Sequence, residues 1–173
     1  MGILGRLFGA RGWNRFPKTF VAGLQRSLGE ELFQTLTVLA EKYDLFGQPL
    51  FARPQHLDIE DELTRTQVVA LLTSMGNELV RHHHVEDAEK TFNIALCLRP
   101  EHSAARGSLA TICYCVGRID EARKHAARAV EDMDKERERF KHVPIPEDIA
   151  PQNELDSFRN LLSRMANGED IEM

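Results

Sequence analysis

The chain has 173 residues, of which 42% are hydrophobic and 28% charged, and its formal net charge is −5 at pH 7. These values are typical of one soluble globular domain, and no apolar run approaches the roughly 18 residues needed to cross a bilayer. An acidic chain does not favour nucleic acid, because phosphate binding needs a basic face. We therefore expect a cytoplasmic protein, free or membrane-associated, that binds no nucleic acid.

The first predicted element is a basic, amphipathic arm over residues 1–18. It contains Arg6, Arg11, Arg15 and Lys18 but no acidic residue. Such a segment can lie on an anionic membrane surface, dock in the groove of a partner protein, or pack back on the body of the chain. The residues predicted to contact a membrane or a partner are Leu4, Leu7, Phe8, Arg11 and Trp13.

Residues 19–166 are predicted to form a single all-helical domain. A short helix from Phe20 to Arg26 precedes a longer one, which begins at a capping box of Ser27 and Glu30 and ends before Gly47. No segment alternates with period two for long enough to indicate a strand.

Two adjoining segments of equal length and similar pattern follow, 69–102 and 103–136. The first begins with a helix whose capping box is Thr64 and Gln67, and its second helix stops at Pro100. In the second segment Ser103 is expected to cap a helix that ends at Gly117, since glycine is the usual residue after a helix end.

The residues of these segments resemble the tetratricopeptide repeat, whose signature is Trp, Leu-Gly and Tyr on one helix and Ala, Phe and Pro on the next. The first segment has Leu72, Met75-Gly76, Leu79, Ala88, Phe92 and Pro100 at those positions. The second has Arg106, Leu109-Ala110, Cys113, Ala122, Ala126 and Asp134. The resemblance covers about two-fifths of the chain and implies an all-α solenoid of antiparallel helix pairs with flanking helices.

Proteins of that family bind extended peptides or helices in a concave groove lined by the first helix of each pair. The resemblance therefore implies a non-catalytic scaffold or adaptor, or a subunit of a larger assembly, that binds a protein or peptide. A second copy of the chain is another candidate partner, and a peripheral membrane protein tethered by the arm is the alternative function. The groove positions carried over include Gly107, and the predicted binding residues are Thr73, Ser74, Asn77, Arg81, Ser108, Thr111 and Tyr114.

Three consecutive histidines, His82 to His84, are the strongest candidate for a metal site. Consecutive side chains on a helix point in different directions, so we predict a solvated turn and no metal. The sequence has no phosphate-binding loop, nucleophile elbow or Rossmann glycine pattern. We therefore expect no catalytic residue, no cofactor and no enzyme activity. The three cysteines are predicted to be reduced, small core residues: Cys97, Cys113 and Cys115.

After Pro144 and Pro146 a capping helix is predicted over residues 151–166. Its apolar face is expected to pack on the second repeat, and it ends at Asn167-Gly168. Residues 167–173 are predicted to form a loose acidic tail. The apolar residues of the capping helix are Leu155, Phe158, Leu161, Leu162 and Met165.

Overall fold

The computed structural model describes residues 12–53, 56–140, 152–169 and 171. Within those ranges the chain is helical and contains no strand, which confirms the predicted all-α class. None of the helices in the described part is long and apolar enough to cross a membrane. The helices are α1 (Lys18–Lys42), α2 (Glu62–Arg81), α3 (Val85–Leu98), α4 (Ser103–Cys115), α5 (Ile119–Phe140) and α6 (Gln152–Asn167), with short 3₁₀ turns at Trp13–Arg15, Leu45–Gly47 and Pro49–Ala52.

The chain divides into two compact units, residues 1–100 and 101–173. The division lies two residues before the predicted boundary between the two repeats. The first unit contains α1, α2 and α3, and the second contains α4, α5 and α6. The single domain over 19–166 stays a prediction.

Helix α1 is broken at Gly29, which has a left-handed φ of 72° and a ψ of 172°. The break lies two residues after the predicted cap at Ser27, so the expected pair of consecutive helices is present with a slightly later boundary. Because the helical hydrogen bonds are interrupted there, the Ser27 carbonyl is available to accept a bond from the Cys97 thiol, at 3.3 Å.

An aromatic cluster lies where the chain enters α1. Trp13 packs edge-on against Phe46, with 4.9 Å between ring centroids, and Phe16 packs edge-on against Phe51 at 5.3 Å. Pairs of this geometry gain electrostatic attraction between ring edge and ring face in addition to burial. The cluster attaches residues 13–20 to the body of the first unit.

Helices α2 and α3 form a hairpin joined by the turn at residues 82–84. Helix α2 begins three residues earlier than predicted, because its N-cap is Asp61 and not Thr64. The Asp61 carboxylate accepts a bond from the Thr64 backbone N–H at 2.8 Å. Thr64 is buried in the first turn. Inside the hairpin a β-carbon added to Gly76 would lie 2.6 Å from the Phe92 ring, so this glycine allows the two helices to approach closely.

Helices α4 and α5 form the second hairpin. Its helix α4 ends at Cys115, and Gly117, the predicted terminal glycine, follows two residues later with a left-handed φ of 79°. Ser103 has a different role from the one predicted, because His102 is the N-cap and the Ser103 hydroxyl donates to the Glu136 carboxylate at 2.6 Å.

In the second predicted repeat, Arg106 occupies the position at which the family signature has a tryptophan. Its guanidinium pairs with Asp132 at 3.0 Å, and the two side chains are only 13% and 9% exposed. A nearly buried ion pair of this kind is costly to break from one side, because the remaining charge stays desolvated.

Helix α6 packs on the second hairpin and lies within one residue of the predicted capping helix. Leu162 and Met165 join an apolar cluster formed largely by small residues of α4 and α5. Small side chains on the hairpin leave room for these larger ones. The hairpin residues of the cluster are Ala110, Cys113, Ala122, Ala126 and Ala129.

The cysteines were predicted to lie in the core, and this is wrong for two of them. Cys113 is buried, whereas Cys97 and Cys115 are exposed. Cys113 and Cys115 differ because residues two apart on a helix face opposite sides.

Candidate partner-binding site

A cleft of about 350 Å³ opens on the surface of the first unit. It lies between α2 and the segment that follows α1, and His82 and His84 of the histidine turn also line it. Its volume is at the lower end of the roughly 300–1,000 Å³ that ligand-binding clefts enclose. The lining residues are Tyr43, Leu45, Gln48, Leu71, Ser74, Met75, Glu78, Leu79, His82 and His84.

The floor of the cleft is apolar. Leu45 and Leu79 are buried, and Leu71 and Met75 are partly accessible. On α2 these residues recur at intervals of four, which places Leu71, Met75 and Leu79 along one side of the helix. A floor of this composition suits an apolar side chain of a ligand, because burying such a side chain there removes two apolar surfaces from water.

The rim of the cleft is polar, and a compact charged cluster adjoins it through Tyr43, which lines the cleft. Asp87, in the first turn of α3, accepts bonds from the Lys42 ammonium and the Tyr43 hydroxyl, each at 2.7 Å. These two donors lower the pKa of the Asp87 carboxyl to about 2, and the bond to Asp87 raises the pKa of Lys42. The cluster fixes the Tyr43 ring, whose centroid is 6.1 Å from that of His84.

The histidine turn is exposed, as predicted. Its central residue, His83, has a left-handed φ of 61°, while His82 and His84 border the cleft. Among the described residues no group of three histidine, cysteine or carboxylate side chains is placed to hold a metal ion.

The predicted groove residues of the first unit differ in accessibility. Ser74 is exposed and lines the cleft. Asn77 and Arg81 are exposed on α2, and the Arg81 guanidinium is bonded to Glu78 at 2.6 Å. Thr73, in contrast, is buried, and its hydroxyl donates to the Val69 carbonyl at 2.8 Å. Thr73 is therefore a core residue and does not face a ligand.

The predicted groove residues of the second unit lie on α4, and that face is covered by later parts of the same chain. Ser108, Thr111 and Tyr114 are each half-buried. A β-carbon added to Gly107 would lie 2.7 Å from the Phe158 ring of α6, and Tyr114 hydrogen-bonds to the backbone of Ile171. This face is therefore covered by α6 and Ile171.

Of the residues predicted for the arm, Leu4, Leu7, Phe8 and Arg11 lie outside the described residues. Trp13 is only 6% exposed, and its indole N–H donates to the Thr37 hydroxyl at 2.9 Å. Trp13 therefore belongs to the core of the first unit and is not available to a membrane.

Several residues of the cleft were not predicted. Tyr43, Leu45 and Gln48 follow α1, and the sequence between them and α2 is interrupted by Pro49 and Pro54, so no spacing rule connects them to α2. Met75 was identified only as a position of the repeat signature. Its partial exposure depends on which segment covers it, and this is a property of the tertiary structure.

The chain matches no protein-family model, and no curated protein or solved structure is significantly similar to it.

Proposed function

We propose that this chain is a non-catalytic, tetratricopeptide-like module, serving as a scaffold or adaptor, that binds a protein or peptide partner through the cleft of its first unit. The observation that best supports this proposal is the open cleft along α2, the first helix of a helix hairpin, with its apolar floor and polar rim. The equal length of the segments 69–102 and 103–136, which is that of the family's repeat, and the two helix hairpins support the family likeness.

The chemistry of the cleft indicates what it binds. An apolar side chain of the partner would contact Leu71, Met75 and Leu79, while the hydroxyl of Ser74 and the amide of Gln48 can bond to the partner's backbone. A helix or an extended segment presenting one apolar anchor meets both requirements. A hydrogen bond to Asp87 already holds the Tyr43 side chain beside the cleft, which limits the ordering needed on binding.

The test is a pull-down from native cells that compares three tagged proteins. Ser74→Arg places a long charged side chain in the cleft without disturbing the core, because Ser74 is exposed. Gln67→Arg is the matched control, since Gln67 is exposed on the same helix and does not line the cleft.

We expect one partner to be recovered with the wild type and with Gln67→Arg and to be lost with Ser74→Arg. Recovery of the same proteins with all three would reject the cleft as the binding site. The alternative of a membrane tether now depends on Leu4, Leu7, Phe8 and Arg11, and sedimentation with anionic liposomes tests it separately.

A further inference from the structure

The segment that follows α6 returns to the second hairpin. Ile171 is 9% exposed and belongs to the same apolar cluster as Cys113 and Met165. The Tyr114 hydroxyl accepts a bond from the Ile171 N–H at 3.0 Å and lies 3.3 Å from the Ile171 carbonyl oxygen, to which it can donate. One side chain of α4 therefore contacts both backbone polar groups of this residue.

The backbone reaches this position through a sharp turn at the end of α6. Gly168 is left-handed with a φ of 76°, and the Glu169 N–H donates to the Arg164 carbonyl at 3.0 Å, as in a Schellman helix end. The Arg164 guanidinium also bonds to the Glu169 carboxylate at 3.0 Å. Basic side chains flank the turn, since a β-carbon added to Gly168 would lie 2.7 Å from the Arg123 guanidinium.

These contacts are those by which a helical surface holds a short peptide ligand. An aliphatic side chain enters an apolar site, a helix side chain bonds to the backbone of the bound segment, and an arginine pairs with the acidic Glu169. In the sequence Ile171 stands between Asp170 and Glu172, with Glu169 before them. We call the residues that contact Ile171 the tail site. They are Tyr114 on α4 and the apolar cluster that includes Cys113 and Met165.

We propose that the tail site is a peptide-binding site that Ile171 occupies in cis, and that its partner is a peptide with a branched aliphatic residue between acidic residues, which displaces Ile171. This site is distinct from the cleft of the first unit, and the proposal does not depend on that cleft.

The described contacts permit displacement. Besides the backbone bonds of the turn, they include one apolar side chain, the Tyr114 hydroxyl and an Arg164–Glu169 pair whose side chains are 52% and 50% exposed. An exposed ion pair contributes little. The chain connection supplies most of the advantage of the internal segment, because a short linker gives an effective concentration of the order of millimolar.

The experiment measures binding of a fluorescent peptide with the sequence of residues 167–173 to the full chain by anisotropy. Ile171→Ser removes the internal anchor and opens the site. Val116→Ser is the matched control, because Val116 is an apolar residue of the same unit that is 51% exposed. The same peptide with serine in place of isoleucine tests whether the anchor is recognised.

We expect Ile171→Ser to bind the peptide at least about tenfold more tightly than the wild type, since the internal competitor is lost. The Val116→Ser protein should behave as the wild type, and the serine peptide should bind neither. Adding Tyr114→Phe to Ile171→Ser should weaken binding by about fivefold to a hundredfold, because both hydrogen bonds between the hydroxyl and the backbone of the bound peptide are lost.

Three results would overturn the proposal. Equal binding by the wild type and Ile171→Ser would show that the internal segment does not compete, and absence of binding to a folded Ile171→Ser protein would show that no peptide site exists. Loss of the cooperative thermal transition in Ile171→Ser would also overturn it, because a segment that folding requires is not a displaceable ligand.

Discussion

His83 and Gly117 have the same left-handed backbone conformation at equivalent positions of the two helix hairpins, one repeat length apart in the chain. Their φ angles are 61° and 79°. The residue after each donates its backbone N–H to the carbonyl five residues earlier. His84 donates to Leu79 and Arg118 donates to Cys113, both at 2.8 Å. The two predicted repeats therefore share the backbone geometry of this turn.

This relationship predicts that His83→Gly stabilises the protein. A residue with a β-carbon is strained at positive φ by about 1 kcal/mol, and glycine is not. We expect the free energy of unfolding from urea titration to rise by about 0.5–1 kcal/mol, and Gly117→Ala to lower it by about the same amount.

The control for His83→Gly is the neighbouring exposed residue. His82 has a negative φ of −92°, so His82→Gly gains no conformational relief and should be neutral or destabilising. Equal stabilisation by both variants would contradict the assignment of strain to His83.

The Lys42–Tyr43–Asp87 cluster predicts a dependence of stability on acid pH. Asp87 has a pKa of about 2 in the folded chain, against an ordinary value of 3.8. A lowered carboxyl pKa stabilises the folded state above the unfolded value, and that contribution is lost as the pH falls from about 4 to 2. The raised pKa of Lys42 has the opposite pH dependence. Its contribution to stability is present below pH 10.5 and is lost only as the pH rises above that value.

We therefore expect Asp87→Asn to reduce the free energy of unfolding by about 1–2 kcal/mol at pH 7. The difference from the wild type should shrink as the pH approaches 2, as measured by urea titration at several pH values. A difference that is constant from pH 7 to pH 2 would show that the charge of Asp87 is not responsible.

The contact between Gly76 and Phe92 predicts a steric effect. Gly76→Ala forces a β-carbon to within 2.6 Å of the ring, and overpacking of this kind costs about 1–3 kcal/mol. The same substitution should cost less in a Phe92→Leu background, because the smaller side chain can move. In a double-mutant cycle of the wild type, the two single variants and the double variant, the losses of stability measured by thermal unfolding should therefore be non-additive.

The second hairpin supports this expectation. Its equivalents of Gly76 and Phe92 are Ala110 and Ala126, both fully buried. The second hairpin therefore has an alanine facing an alanine, where the first hairpin has Gly76 facing the Phe92 ring. Additive costs in the cycle would mean that Gly76 is required for a reason other than the Phe92 ring.

The bond between Trp13 and Thr37 provides a prediction with an optical signal. Trp13 is the only tryptophan, so its fluorescence reports on this cluster. Thr37→Val keeps the shape but leaves the buried indole N–H without its acceptor, which should cost about 1–3 kcal/mol. Urea unfolding followed by tryptophan emission measures the loss.

Val38 is the matched control for Thr37, because it is the next residue and is 63% exposed. Val38→Thr should change the free energy of unfolding by less than about 0.5 kcal/mol. If Thr37→Val is equally neutral, the indole bond does not hold Trp13 in place.

The helices and their ends could be predicted where local chemistry determines them. Apolar spacing identified α2 to α5, and Gly117 marked a helix end because few other residues adopt its backbone angles easily. The start of α2 was missed because Asp61 and Thr64 are both acceptable caps, and only the backbone angles of Asp61 distinguish them.

The parts that could not be predicted depend on contacts between distant residues. Trp13 and Thr37 are 24 positions apart, and nothing near Trp13 in the sequence indicates that its ring is buried. Ser74 was identified by its position on α2, but the other side of the cleft comes from Tyr43 and Leu45. Ile171 lies 57 residues from Tyr114, and the acidic residues around it suggested a solvated tail.

The break in α1 has a consequence for the shape of the first unit. As one uninterrupted helix, the 25 residues of α1 would form a straight rod of about 37 Å, in which Phe20 and Phe33 would lie about 20 Å apart along the axis. In the structure Phe33 instead lies 5.5 Å from Trp13, and Phe20 lies 5.8 Å from Phe16, between ring centroids. A β-carbon at Gly29 would meet nothing within 4 Å, so the penalty for any other residue there comes from the torsion angle alone. The choice between a rod and a bent pair of helices thus depends on one achiral residue.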